Sequence, residues 1–143
     1  MDTTYYKIEI EDLSKGYIVD FEHIPYEVDT IVANGDLILT AIGHDWKPEP
    51  ANVIEIEGIE ITNAFLIENG FIFIKDGIYE FCSALEYDIN TKILRFCATK
   101  ERYPKSIRCV HEMQRAFWEI GQKHKKFNFK SEYYKGNNNG LVI

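Results

Sequence analysis

The side chains in this sequence that could carry catalysis or bind a metal are, first of all, its four histidines and three cysteines. His111-Glu112 comes close to the H-E-x-x-H motif, in which two histidines one helical turn apart bind zinc and the glutamate acts as a base. Arg115 stands where the second histidine would be, so the pair of zinc ligands is missing. The sequence therefore favours a solvated helix face for His111 and predicts no metal site.

Two further arrangements pair a histidine with a reactive neighbour. His44-Asp45 lies in a proline-containing loop, where the carboxylate could orient the imidazole. Cys109 and His111 could act as a nucleophile and its base, but residues two apart in a helix do not share a face. We therefore expect no catalytic residues, no cofactor and no enzymatic activity.

The cysteines and glycines lack the spacings of the familiar catalytic motifs. Cys82, Cys97 and Cys109 form no C-x-x-C pair, which argues against a zinc knuckle and a disulfide framework. We expect reduced, buried thiols that pack as small apolar residues. A G-x-S-x-G elbow, a phosphate-binding loop and a dinucleotide fingerprint are absent from the sequence. Carboxylates are abundant, so composition leaves open an acid/base pair of the glycosidase type.

The glycines instead predict tight turns between apolar runs. Glycine supplies the positive φ that hairpin turns need, and Asn or Asp before it tolerates the same region. Such dipeptides between apolar runs are strong hairpin signals. Four of them separate predicted strands: Asn34-Gly35, Glu57-Gly58, Asn69-Gly70 and Asp76-Gly77.

Two hairpins make specific predictions about which side chains share a face. A two-residue turn at Glu57-Gly58 would pair Ile56 with Ile59 and Ile54 with Ile61, and would leave Glu55 and Glu60 facing each other on the outer side. A hairpin joining residues 79–87 to 92–99 would place Cys82 opposite Cys97. The opposite face of that hairpin would then carry four large apolar side chains, Phe81, Leu85, Leu94 and Phe96.

Together with strands at 5–10 and 17–21, these hairpins predict an α+β, mainly β fold: an antiparallel meander of about eight or nine strands, as a sandwich or a curved sheet. One amphipathic helix is predicted near 105–121, with Ser106 as N-cap and Gly121 as the stop. Its apolar stripe would comprise Ile107, Val110, Met113, Phe117 and Ile120. We expect a single domain over 1–130 and a flexible tail over 131–143.

The net charge of −7 hides an asymmetry along the chain. Residues 1–90 hold 19 Asp and Glu against 4 Lys, whereas residues 91–143 hold 4 Glu against 12 Lys and Arg. The two halves could simply neutralise each other, or an acidic sheet face could capture a cationic protein. Aromatic side chains beside the acids would then serve as anchors. The predicted partner-binding residues are Glu55, Glu57, Glu60, Asp76, Tyr26, Trp46 and Tyr79.

Charge and hydropathy also disfavour two classes of partner. Lysines interleaved with aromatic residues over 123–135 could contact nucleic acid, but the acidic bulk of the chain would repel phosphates. No stretch approaches the roughly 18 consecutive apolar residues of a membrane span. The N-terminus lacks the basic and apolar regions of a secretory signal. We expect a cytoplasmic protein that binds neither membrane nor nucleic acid.

One stretch of the sequence has a recognisable pattern. It comprises residues 24–39 (IPYEVDTIVANGDLIL), a proline-containing loop and residues 53–59 (VIEIEGI). This stretch resembles small β-rich bacterial immunity proteins of polymorphic toxin and contact-dependent growth inhibition systems. It departs from their pattern where Tyr26-Glu27 replaces a His-Asp pair, and it transfers no binding residue. The resemblance implies a cytoplasmic inhibitor that binds a cationic toxin domain, such as a nuclease. The alternatives from other classes are a small-ligand-binding β-barrel, a hydrolase of similar fold, and an accessory or structural domain with no isolated activity.

Overall fold

The computed structural model describes residues 6–122 and 125–130, and in them the strands form two antiparallel sheets. The larger sheet has the order β1-β6-β2-β3-β4-β5 and the smaller one the order β10-β9-β8-β7. The strands of the larger sheet are β1 (Tyr6–Lys7), β2 (Ile18–Phe21), β3 (Ile24–Ile31), β4 (Asp36–Ala41), β5 (Glu49–Asn52) and β6 (Ile56–Gly58). Those of the smaller sheet are β7 (Phe71–Lys75), β8 (Ile78–Phe81), β9 (Leu85–Asp88) and β10 (Ile93–Phe96).

Two helices, α1 (Asn63–Glu68) and α2 (Val110–Glu119), accompany the sheets. The predicted α+β, mainly β fold is thus confirmed, with ten strands in the described residues where eight or nine were expected. The chain is a meander from β2 to β5 and again from β7 to β10, but β6 returns to insert between β1 and β2. The predicted strand at 17–21 is β2, whereas the one at 5–10 shortens to β1 and is followed by a 3-10 turn at Ile10–Asp12.

The turns at Asn34-Gly35 and Asp76-Gly77 are confirmed as hairpin turns. The first joins β3 to β4, and both Asn34 (φ 62°) and Gly35 (φ 80°) occupy the left-handed region. The second joins β7 to β8. In both cases the preferred backbone conformation of the turn residues agrees with the pairing of the strands on either side.

The hairpin predicted at Asn69-Gly70 is wrong, because the residues before it form α1 instead of a strand. The hydroxyl of Thr62 caps this helix by accepting a hydrogen bond from the Phe65 N–H at 3.2 Å. Asn69 ends the helix and Gly70 follows at φ 96°, the usual place of glycine after a helix. The same dipeptide therefore serves as a helix stop.

The hairpin predicted at Glu57-Gly58 is also wrong. β6 pairs with β1 on one side and β2 on the other, so that Glu57 lies opposite Lys7 and Asp20 rather than in a turn. The preceding residues Val53–Glu55 form a 3-10 turn, in which Ile54 is 83% exposed. The expected pairing of Ile54 with Ile61 and of Glu55 with Glu60 does not occur. β6 lies between β1 and β2 in the larger sheet and pairs with them instead of with the residues that follow it.

The predicted strand at 79–87 is broken into β8 and β9 by a turn at Cys82 and Ser83, both of which have positive φ. The Cys97 N–H consequently bonds the carbonyl of Ala84, and Cys97 is not opposite Cys82. The predicted shared face of Phe81, Leu85, Leu94 and Phe96 is confirmed. Leu85 on β9 lies directly opposite Phe81 on β8 and Phe96 on β10, and Leu94 is two residues from Phe96, on the same face of β10.

Helix α2 begins at Val110, four residues after the predicted N-cap Ser106. Cys109 takes the N-cap position, and the carbonyl of Ile107 accepts a hydrogen bond from the buried Tyr87 hydroxyl. Gly121, at φ 97°, donates to the Trp118 carbonyl and ends the helix as predicted. The buried stripe of α2 packs against the smaller sheet in the larger of two apolar clusters.

Among the described residues, no helix has the length and apolar composition needed to cross a bilayer. The predicted single domain over 1–130 stays a prediction, and the predicted tail at 131–143 lies outside the described residues.

Candidate functional site

The edge of the smaller sheet is formed by β7, which pairs with β8 on one side only among the described strands. Its central side chains are apolar and in contact with solvent: Ile72 is 65% exposed, Phe73 53% and Ile74 47%. A register shift between Phe73 and Lys75 turns the strand at Ile74. Consecutive exposed apolar residues on an uncovered edge are normally avoided, because they invite another chain to pair. We call Ile72, Phe73, Ile74 and the neighbouring exposed Ile67 the β7 surface.

Carboxylates lie next to the β7 surface. Glu80 on β8 is directly opposite Ile72, and Glu86 on β9 is directly opposite Glu80. Asp76 is exposed in the turn that follows β7. In the described part of the chain, none of these three carboxylates forms a salt bridge. The apolar strand is therefore bordered by carboxylates that form no salt bridge among the described residues, although Arg95 on β10 lies opposite Glu86.

The acidic residues predicted to bind a partner do not share one face. Glu55 is exposed, but its carboxylate caps a 3-10 turn by accepting from the Asn52 N–H at 2.8 Å. Glu57 is half-buried on β6, and Glu60 is half-buried beside Cys109, with which it forms a β-bridge. Asp76 belongs to the other sheet and is the one acid of this predicted set that adjoins the β7 surface.

The predicted aromatic anchors are likewise separated. Tyr26 and Tyr79 are buried, and the Tyr79 hydroxyl donates to the side chain of Asn63. Burial removes both rings as exposed anchors. Trp46 is exposed and stacks on His44, with ring centroids 4.0 Å apart. Sequence reasoning missed Ile72, Phe73 and Ile74 because it selected binding residues from acidic and aromatic side chains beside the strands, whereas these three belong to an apolar strand whose exposure depends on its place in the sheet.

A second candidate site is a cavity of about 440 Å³ beside the N-terminus of α2. Its walls are polar and charged, with one aromatic residue, and comprise Asp12, Tyr103, Lys105, Ser106, Arg108, His111, Glu112 and Arg115. Two of the cations are held by acids: Arg108 contacts Glu112 at 2.6 Å, and Arg115 contacts Asp12 at 2.9 Å. His44 lies elsewhere, in an exposed loop after β4.

The prediction that His111 lies on a solvated helix face is wrong, since only 2% of the residue is exposed. Its Nδ1 lies 3.5 Å from the Sγ of Cys109. The argument that residues two apart cannot meet assumed that both were helical. Cys109 is instead extended, with φ −141° and ψ 169°, and this conformation turns its side chain toward His111.

The burial of Cys109 and His111 shifts the pKa of both side chains. Burial raises the pKa of the Cys109 thiol well above its usual value and lowers the pKa of His111 to about 4. Both groups are therefore neutral near pH 7. Cys109 is fully buried, so the pair lacks the exposed thiolate of a catalytic cysteine. Of the other two cysteines, Cys97 is half-buried and Cys82 is exposed, which contradicts the predicted burial of Cys82.

Glu112 links this pair to the cavity. Burial acts to raise the pKa of Glu112, but hydrogen bonds from Arg108 outweigh it and hold the pKa below its usual value. One carboxylate oxygen accepts from the main-chain N–H of Arg108 at 2.7 Å and of Cys109 at 3.3 Å. The potential metal-ligand atoms of Cys109, His111 and Glu112 all lie within 4.8 Å of one another. Within the described residues, this is the one such cluster of three or more groups.

No protein-family model, no curated protein and no solved structure matches this chain.

Proposed function

We propose that this chain is a binding protein that captures a cationic protein through the β7 surface. In the biological setting implied by the resemblance to immunity proteins, the partner is a basic toxin domain that the chain inhibits in the cytoplasm. The observation that supports the proposal is the edge strand β7, whose three consecutive apolar side chains are exposed, with Glu80 opposite Ile72 and Asp76 in the adjoining turn.

The apolar part of the β7 surface would supply the free energy of association. Ile72, Phe73 and Ile74 keep about half or more of their area in water, and removing such area yields about 25 cal/mol per Å². An uncovered edge also offers main-chain hydrogen bonds to an extended segment of a partner, which is a recurrent mode of recognition. Phe73 packs edge-to-face on buried Tyr79 with ring centroids 5.5 Å apart, so its ring is held in place before binding.

The acidic part of the β7 surface argues for the charge of the partner. Glu80 and Glu86 face each other across β8 and β9, and like charges directly opposite destabilise a sheet. A cationic partner would relieve this repulsion as well as steer association. Nucleic acid would be repelled, because its phosphates carry the same negative charge as the carboxylates next to the β7 surface.

The experiment is a co-purification of the tagged chain with the product of the gene next to its own, scored by size-exclusion chromatography. We expect a one-to-one complex with a basic protein. Ile72→Lys should weaken this complex about tenfold or more, because a central apolar contact is lost. Ile54→Lys is the matched control: Ile54 is 83% exposed and lies outside the smaller sheet, so its replacement should leave binding unchanged.

A charge reversal at Asp76 tests the electrostatic part separately. Asp76→Lys should slow association and flatten its dependence on salt, with a smaller effect on the dissociation rate. Glu49→Lys gives a control reversal on the larger sheet, because Glu49 is exposed on β5. Equal binding by the wild type and Ile72→Lys, or equal losses in Ile72→Lys and Ile54→Lys, would refute the β7 surface as the binding site.

The second candidate function is the binding of a small ligand in the 440 Å³ cavity, and the presence of His111 in its wall favours it. Cavities of this size are typical of ligand sites, but those are mostly apolar. The charged walls found here select for a small polar compound. Ligand-induced shifts of amide resonances at Ser106 and Arg115, with none at Ile72, would support this function over partner capture.

A further inference from the structure

We infer that Cys109, His111 and Glu112 form a binding site for a single zinc ion at the N-terminus of α2. This site is independent of the β7 surface. It uses a thiolate, an imidazole and a carboxylate, the three kinds of side chain that bind zinc in proteins.

The distance between the first two ligands fits the ion. Zinc binds sulfur at about 2.3 Å and imidazole nitrogen at about 2.0 Å, so two such ligands at a tetrahedral angle lie about 3.5 Å apart. The Sγ of Cys109 and the Nδ1 of His111 are 3.5 Å apart. The carboxylate of Glu112 completes a triangle whose corners are all within 4.8 Å. To bring the three atoms around one ion, the Glu112 carboxylate would rotate away from the Arg108 guanidinium toward the other two ligands.

The polar contacts of the buried His111 ring give a second and independent reason to infer a zinc site. A neutral imidazole has two nitrogens that seek partners, and buried polar atoms are normally satisfied. The ring is buried, and within the described residues its polar contact is the Cys109 sulfur, a weak hydrogen-bonding group. A zinc ion at Nδ1 would replace this weak contact by a strong one.

The surroundings allow the ion to enter and the charges to balance. His111 and Glu112 line the cavity, which leaves the fourth coordination position open to water. On binding, the Cys109 S–H bond breaks, the sulfur keeps the electron pair and bonds zinc, and the proton leaves to the buffer. One Glu112 oxygen exchanges Arg108 for zinc. The released guanidinium is half-exposed and already lies over the Tyr6 ring, 4.8 Å from its centroid.

The test is a cobalt(II) titration of the chelator-stripped, full-length protein, followed by zinc competition. Cobalt bound to a thiolate gives a charge-transfer absorption that carboxylates and imidazoles alone do not give. We expect one equivalent of cobalt to develop this band and one equivalent of zinc to abolish it. Cys109→Ser should remove the band, whereas Cys82→Ser and Cys97→Ser should retain it.

Two variants keep the proposal testable if Cys109→Ser does not fold. His111→Asn and Glu112→Gln should each lower zinc affinity about tenfold or more, measured by calorimetry on the stripped protein. Absence of the charge-transfer band in the wild type would overturn the proposal. So would a band that Cys109→Ser leaves unchanged, or zinc binding that neither His111→Asn nor Glu112→Gln weakens.

Discussion

Replacing Gly58 by alanine tests how closely β6 approaches the start of α2. A Cβ at this position would lie 2.6 Å from the Cys109 Sγ, 3.1 Å from the Cys109 Cβ and 3.1 Å from the His111 Cε1. Gly58 does not have a positive φ, so alanine is compatible with its backbone. The expected cost is therefore steric, and its main source is the sulfur of Cys109.

The magnitude follows from two opposing effects. Overpacking of a filled interior costs about 1–3 kcal/mol. Alanine also restricts the unfolded chain more than glycine does, which returns about 0.4–1 kcal/mol. We expect Gly58→Ala to lower the free energy of unfolding by about 1–2 kcal/mol. In a Cys109→Ala background the 2.6 Å contact no longer exists, so the same change should cost about 1 kcal/mol less.

The assay is a double-mutant cycle by urea unfolding in the presence of a chelator, so that no bound metal contributes. Gly58→Ala combined with Cys82→Ala is the control, because Cys82 is exposed and has no contact with Gly58 in the structure. That pair should be additive within about 0.5 kcal/mol. Additivity of Gly58→Ala with Cys109→Ala would show that the sulfur does not limit the approach, and the reasoning would be refuted.

Two further predictions concern buried hydrogen bonds. Asn69→Ala should lower the free energy of unfolding by about 2–4 kcal/mol, because its buried amide donates to the Phe65 and Asn128 carbonyls at 2.9 Å and accepts from the Asn128 N–H at 2.6 Å. Asn128→Ala, which keeps those main-chain groups, should stay within about 0.5 kcal/mol of the wild type in the same urea titration. Tyr87→Phe should cost about 1–2 kcal/mol, since it leaves the carbonyl of Ile107 without its 2.5 Å hydrogen bond. An unchanged urea midpoint for Tyr87→Phe, or a loss in Asn128→Ala as large as that in Asn69→Ala, would contradict these assignments.

The β7 surface shows why an exposed apolar edge strand escapes sequence reasoning. The run at 71–74 predicted a strand, and β7 is one. Whether such a run is buried depends on what lies beside it, and nothing local in the sequence distinguishes an edge strand from a central one. The exposure of Ile72 and Phe73 follows from the position of β7 at the end of its sheet. Asp76 was selected from its charge, and it lies at this edge because it forms the adjoining turn.

The Cys109 and His111 pair escaped for a different reason. Both residues were identified as a possible nucleophile and base, and the pair was set aside because α2 was expected to begin at Ser106. The first residue of a helix is harder to predict from a sequence than the presence of the helix. The N-cap lies three residues later than predicted, at Cys109 itself, so Cys109 is outside the helix and the side chains meet at 3.5 Å. The boundary of one element thus decided whether these two side chains meet.

The sequence by itself determined the features that depend on near neighbours. Asn34-Gly35 and Asp76-Gly77 adopt their turns because the φ values they need are low in energy for those residues, and the apolar stripe Val110, Met113 and Phe117 forms a helix. Tertiary structure decided the role of the other two glycine dipeptides. Gly70 stops a helix because Thr62 caps one, and Gly58 is needed where β6 passes against Cys109. Glycine permits a turn, a helix stop or a close approach equally well, and only the packing around it selects among the three.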